Sequence, residues 1–122
     1  MDIHFTQIES ILFNKPYWFD PTNNHHKKIY KSFLASARLI NSLISNEIIE
    51  DTQIELLYTW FEIHIKDILE LTNNMEHMEI AAYYSKLEWD LLDECEEIEL
   101  YEACSNIKRF YDFYYDEINS TK

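Results

Sequence analysis

Glycine is absent from the sequence, valine is absent too, and proline occurs only at Pro16 and Pro21. A chain of this length and average composition would carry roughly eight glycines. Without them, the left-handed backbone positions used by tight β-hairpins and many sharp turns are nearly excluded. Helices joined by asparagine-capped turns are what remains. The same lack removes the phosphate-binding P-loop, the G-x-G-x-x-G dinucleotide fingerprint and the G-x-S-x-G nucleophile elbow, each of which needs glycine where the backbone turns or approaches a ligand. None of His4, His25, His26, His64 and His77 follows a glutamate at the spacing of the E-x-x-H di-iron motif, and H-E-x-x-H is missing. No metal, cofactor or catalytic activity is therefore expected, and His64 and His77 are read as helix-surface residues.

Other lacks bear on compartment. No apolar run approaches the roughly 18 residues that a membrane-spanning helix takes, and no signal-like apolar segment follows Met1. The only cysteines, Cys95 and Cys104, fall in one helical region about 180° apart around the axis and are not expected to bridge. The expectation is a cytoplasmic protein with no membrane partner; its net charge of −13 would also be repelled by anionic leaflets.

What the chain does have is 47% apolar and 16% aromatic residues, enough to fold one domain despite the charge. Phe5, Ile8, Ile11 and Leu12 predict a short first helix. Residues 15–24 hold both prolines and read as a loop, in which Tyr17, Trp18 and Phe19 form a lid under the bundle or a binding wedge. A second helix, capped by Asn23 or Asn24, carries Ile29, Phe33, Ala37, Ile40 and Ile44. A third begins at Asp51 and Thr52, with Thr52 and Glu55 placed for a capping box, and carries Ile54, Leu57, Tyr58, Phe61, Ile65 and Ile68. The fourth is apolar on two sides: Met78, Ala81, Ala82, Ser85, Trp89 and Leu92 on one, and Ile80, Tyr83, Tyr84, Leu87 and Leu91 on another. A face so broad predicts a central helix or one offered to a partner, including a second copy as a homodimer. The last helix, with Leu100, Ala103, Cys104, Ile107, Tyr111, Tyr114 and Ile118, begins near 93–97, either after a break around Asp93, where acids would suit a helix start, or as a continuation. The fold class is an all-α, single-domain bundle of about five helices spanning 1–122.

Charge is placed unevenly. Residues 1–46 carry Lys15, Lys27, Lys28, Lys31 and Arg38 against Asp2, Glu9 and Asp20, so the negative charge falls on the remainder. From 88 to 102, Glu88, Asp90, Asp93, Glu94, Glu96, Glu97, Glu99 and Glu102 occur without a lysine or arginine. Like charges at helical spacing each cost a few tenths of a kcal/mol. A solvated helix face is one explanation; a surface built for a basic partner is the other. Tyr83, Tyr84, Trp89 and Tyr101 lie among these acids as candidate anchors, since Tyr and Trp dominate binding hot spots. Direct nucleic-acid binding is disfavoured, because phosphate recognition depends on Lys and Arg.

In size, acidity and helical character the chain resembles the immunity proteins of bacterial contact-dependent growth inhibition. Ala82-Tyr83-Tyr84-Ser85 and Phe113-Tyr114-Tyr115-Asp116 are similar in kind to the Tyr-Tyr pair of colicin nuclease immunity proteins. Neither pair is followed by proline, glycine is lacking and this chain is longer, so that family's fold is not implied. The resemblance implies an inhibitor that covers the nucleic-acid site of a basic nuclease toxin domain. A phage DNA mimic, with carboxylates in place of phosphates, and a structural adaptor subunit are the alternatives.

Overall fold

The computed structural model describes the backbone of residues 3–13, 20 and 22–120, with the side chains of these apart from 3–6, 74–76 and 118–120. Tyr17, Trp18 and Phe19 lie outside the described residues, as do the side chains of Phe5 and Ile118. Five helices account for the fold: α1 (Ile3–Phe13), α2 (Asn24–Asn41), α3 (Asp51–Glu70), α4 (Asn74–Glu97) and α5 (Tyr101–Ser120), with no strand among the described residues. Neighbours in space follow the order α1, α2, α3, α5, α4 and return to α1, so the helices form a ring around one core.

The core forms where the 3.6-residue stripes converge. α2 buries Ile29, Phe33, Ala37 and Ile40; α3 buries Ile54, Tyr58, Phe61 and Ile68; α5 buries Ile107, Phe110, Tyr111 and Tyr114. Phe61 sits edge-on to both Tyr84 and Phe110, at centroid distances of 5.3 and 5.0 Å. Such contacts add to the area term because the ring edge meets a neighbour's negative face. The phenol groups inside find acceptors. Tyr111 donates to the Tyr84 carbonyl at 3.0 Å, and the Tyr84 hydroxyl shares a 2.6 Å bond with Ser36 Oγ. Burial holds Tyr84 and Tyr111 well above the usual phenol range and pushes Tyr83 and Tyr114 up to about 12.

Helix ends are closed by side chains. Asn23 caps α2, its Oδ1 accepting from the amides of His25 and His26 at 2.8 and 3.3 Å. α3 starts after Glu50, which makes no side-chain cap bond, so the expected Thr52–Glu55 capping box does not form. The Glu50 carbonyl instead takes the amides of Gln53 and Ile54, and Asp51 is engaged by Arg109 of α5. At the far end of α3, His77 reaches back from α4, placing Nε2 2.9 Å from the Leu69 carbonyl and 3.2 Å from that of Thr72. His77 is thus a clamp on the α3 terminus, more specific than the surface role expected of it.

The loop 42–50 between α2 and α3 is held from outside itself. Asn106, fully buried on α5, donates through Nδ2 to the carbonyls of Leu43 and Glu47 and accepts through Oδ1 from the Ile49 amide at 3.0 Å. Arg109 adds bonds to the Ile49 carbonyl and to Asn106 Oδ1, both at 2.7 Å. Replacing Asn106 by Leu strands the Ile49 amide and two carbonyls, and an unsatisfied buried group costs about 1 to 3 kcal/mol. Asn106→Leu is expected to lower unfolding free energy by about 3 kcal/mol or more, read from the urea midpoint; an unchanged midpoint would show that water replaces the amide.

The buried phenols also set a pH response. An unfolded tyrosine ionises near 10.0, whereas folded Tyr83 and Tyr114 keep their protons to about 12. Above the unfolded value the unfolded state binds fewer protons than the native one, so stability falls as pH rises. The urea midpoint is expected to begin falling near pH 9, where the unfolded thiols of Cys95 and Cys104 ionise while the folded ones keep their protons, and to drop more steeply through about pH 10 to 12.

Candidate functional site

The acidic region occupies the last turns of α4, the connection 98–100 and the first turn of α5. α4 runs unbroken through Asp93 to Glu97, so the interruption comes later than a start near Asp93 would place it. The buried stripe Leu87, Leu91, Leu92 and Cys95 continues the helical period across Asp93 and Glu94, and this packing carries the helix on. The corner itself is a Schellman motif. The Leu100 amide donates to the Cys95 carbonyl at 2.8 Å, the Glu99 amide donates to the Glu96 carbonyl at 3.1 Å, and Glu99 takes φ 63°. That position normally belongs to glycine. In a glycine-free chain a glutamate takes the left-handed conformation instead, which carries a cost of about 1 to 2 kcal/mol for a residue with a Cβ. Glu99 is the single positive-φ residue among those described, in a chain where such positions were expected to be nearly excluded.

The candidate residues divide into two groups. Asp93, Glu96, Glu97, Glu99 and Glu102 are exposed around the corner, and Asp90 and Glu94 are half-buried. Trp89 is 65% and Tyr101 61% exposed. Glu88, Trp89, Asp93 and Glu96 line one depression between α4 and α5 together with Leu92, Lys108 and Tyr115. Tyr101 and Glu96 line the next, with Cys104, Ser105 and Lys108. Both aromatic side chains thus border a furrow that shares Glu96 and Lys108.

Two candidates are buried, Tyr84 in the core and Glu88 at the wall of the α4–α5 depression. Tyr84 is 1% exposed, stacked on Phe33 and bonded to Ser36. Glu88 is buried on the α5 side of α4, where Oε1 accepts the Tyr115 hydroxyl at 2.7 Å. Burial first, and this bond next, push the Tyr115 phenol up. The reason is the choice between α4's two apolar sides: the one with Ile80, Tyr84, Leu87 and Leu91 packs inward, leaving Met78, Ala81, Ala82 and Trp89 outward. Tyr83 is half-buried edge-on to Phe33 at 5.2 Å. It lies six positions from Trp89, about 120° around the helix, and so does not share its surface.

Cations also enter the region. Lys86 pairs with Asp90 at 3.5 Å, and α5 contributes Lys108 and Arg109 to the furrow. The stretch without lysine is continuous in sequence but not in space. Cys95 and Cys104, expected on opposite sides of one helix, come within hydrogen-bonding reach of each other because the corner folds α5 back beside α4. Both are free and buried; burial is the main cause that pushes Cys95 up to about 12 and raises Cys104.

The placement of the acids opposes helix stability. Carbonyl ends of helices favour cations, yet the last turn of α4 holds Glu94, Glu96 and Glu97 and no basic residue. Only Glu102, in the first turn of α5, sits where the helix dipole favours it. A second concavity, about 310 Å³, opens between α3, α4 and α5 over Tyr58, Phe61, Tyr84 and Tyr114, with Glu62, Lys66, His77 and Glu117 also lining it. Among the described residues, no three His, Cys, Asp or Glu side chains gather as metal ligands, and no helix is long and apolar enough to cross a membrane.

Glu99→Gly removes the left-handed strain but adds freedom to the unfolded chain, and the two together leave a gain of about 0.5 to 1 kcal/mol. The expected outcome is a higher melting temperature with unchanged helicity by circular dichroism. A lower melting temperature would mean that the Glu99 side chain itself holds the corner.

The chain was compared with family models, with curated proteins and with solved structures, and it matches none of them.

Proposed function

We propose that this chain is a binding inhibitor, of the kind bacterial immunity proteins represent, that covers the nucleic-acid site of a basic protein such as a nuclease toxin domain. A nuclease surface must be cationic to hold its substrate, so an acidic cover gains long-range steering and short-range charge-assisted contacts. One observation carries the reading. At the α4–α5 corner the chain accepts acids at a helix end that disfavours them and a glutamate in a backbone state that disfavours it, with Trp89 and Tyr101 exposed alongside. Strained backbone and opposed charges persist where another demand over-rides stability. A plain solvated face would place its lysines here.

Trp89 and Tyr101 are the anchors in this reading, because each offers a large rigid surface at low entropy cost. Asp93, Glu96, Glu97, Glu99 and Glu102 set orientation and association rate. Lys108, exposed along the furrow, fits a partner that brings a carboxylate or carbonyl between its own cations. A mimic of DNA would need an elongated acidic track, whereas these acids gather at one end of the bundle with Lys86 and Lys108 among them.

The test is isolation of the partner from the producing cell, followed by association kinetics and nuclease assays with purified components. Glu96→Lys with Glu97→Lys is expected to stabilise α4 by about 0.5 kcal/mol or more, since the dipole now favours the charges, while slowing association at least about tenfold at low salt. Trp89→Ala is expected to leave the melting temperature nearly unchanged and to raise the dissociation rate by an amount worth about 2 kcal/mol. Inhibition by the double lysine variant equal to wild type across a salt series would reduce the acidic corner to a solvated face and remove the proposal.

A further inference from the structure

A different surface stands apart from the acidic corner. Along the outward side of α3, Leu56, Trp60 and Ile63 recur at i, i+4 and i+7 and are 57, 53 and 46% exposed. Thr52, Gln53 and Thr59, exposed beside the N-terminal part of the strip, are uncharged. On a chain of net charge −13 this is an apolar strip that meets an acid only at its far end, where Asp67 follows Ile63 by one turn. Such a strip gives no grip to a cationic partner, and the fourth helix, where a pairing surface was expected, leaves among its described side chains only Met78 and Trp89 as large apolar groups outward.

The charges that border the strip specify an occupant. Glu55 and Lys66 lie on the same flank, eleven residues apart and so close to three full turns. Turning a second copy of α3 antiparallel about a twofold axis beside Trp60 brings like flank to like flank. Leu56 then meets the second copy's Ile63, Trp60 meets Trp60, and Glu55 meets Lys66, with each unlike pair occurring twice. Lys66 already holds Glu62 at 2.7 Å, yet its side chain is 66% exposed, leaving room for a second carboxylate. A parallel twofold pairing would put the two Glu55–Lys66 flanks on opposite sides of the seam, so that neither unlike pair forms.

We propose that the outward strip of α3, Leu56, Trp60 and Ile63 with Glu55 and Lys66 beside it, pairs with the same strip of a second copy of this chain in antiparallel twofold fashion. The pairing is independent of the acidic corner and carries the opposite salt response. Two copies of like net charge repel at long range, and salt screens that repulsion, so the dimer tightens with salt while binding of a basic partner weakens.

Sedimentation equilibrium of the full chain, at low and high salt, tests this. Wild type is expected to dimerise, more tightly at high salt. Trp60→Glu is expected to raise the dimer dissociation constant at least about tenfold without loss of helicity, since Trp60 is exposed in the monomer. Glu55→Lys and Lys66→Glu should each weaken the dimer, and the double exchange should return it to within about threefold of wild type, as expected for a coupled pair. A chain that stays monomeric up to about 1 mM, where any dimer would be too weak to count as specific, overturns the proposal. So does a dimer untouched by Trp60→Glu, or one that the double exchange fails to restore.

Discussion

The Asn106 side chain is the constraint on which the arrangement of this bundle depends. Loop 42–50 joins two helices that pack along each other, and it contains no glycine to make the reversal locally. Its backbone groups therefore cannot all be satisfied within the loop, and a buried amide or carbonyl without a partner is costly. One carboxamide supplies two donors and an acceptor at once, and Arg109, one turn on, donates to the Ile49 carbonyl. The result ties α5 to the loop and to the start of α3, which fixes the faces that α3 and α5 present to each other. Tyr58, Phe110 and Phe113 then interlock along that seam.

The rest of the core uses tyrosine where many bundles use leucine. A phenol fills more volume but brings a hydroxyl that needs a partner. Tyr84 and Tyr111 solve this by bonding across helices, the first to Ser36 on α2 and the second to the Tyr84 carbonyl on α4. These bonds join α2, α4 and α5 through the interior and determine which side of α4 faces inward. Trp89 and the corner acids are exposed as a consequence of that choice.

How much of this could be read beforehand follows from which forces are local. The stripes on α2, α3 and α5 were legible because burial and helical period agree at every turn, from Ile29 to Ile40 and from Ile54 to Ile68. The inward side of α4 was not, since both sides are apolar and the decision lies with Ser36, a residue 48 positions away from Tyr84. Whether the chain breaks near Asp93 or continues was open in the sequence, because acids suit a helix start; the stripe through Cys95 decides for continuation. The capping box failed for a similar reason: Arg109 engages Asp51, the residue beside Thr52, and its position could not be known from α3 alone. The acid cluster itself was visible, but Lys108 reaches it only through the fold. Cys95 and Cys104 were separated by a helical wheel that does not apply across a corner.

Glu99 has a consequence for how such a surface can change. In the left-handed region the backbone penalty falls on any residue with a Cβ, so exchanging one such side chain for another alters the strain little. Position 99 can therefore carry an acid, a base or an aromatic at nearly the same folding free energy. It stands at a hydrogen-bonded corner whose shape is set by the backbone bonds of Glu99 and Leu100 and not by the identity of the side chain. Single substitutions here change the charge and shape exposed at the corner while the scaffold beneath it stays fixed.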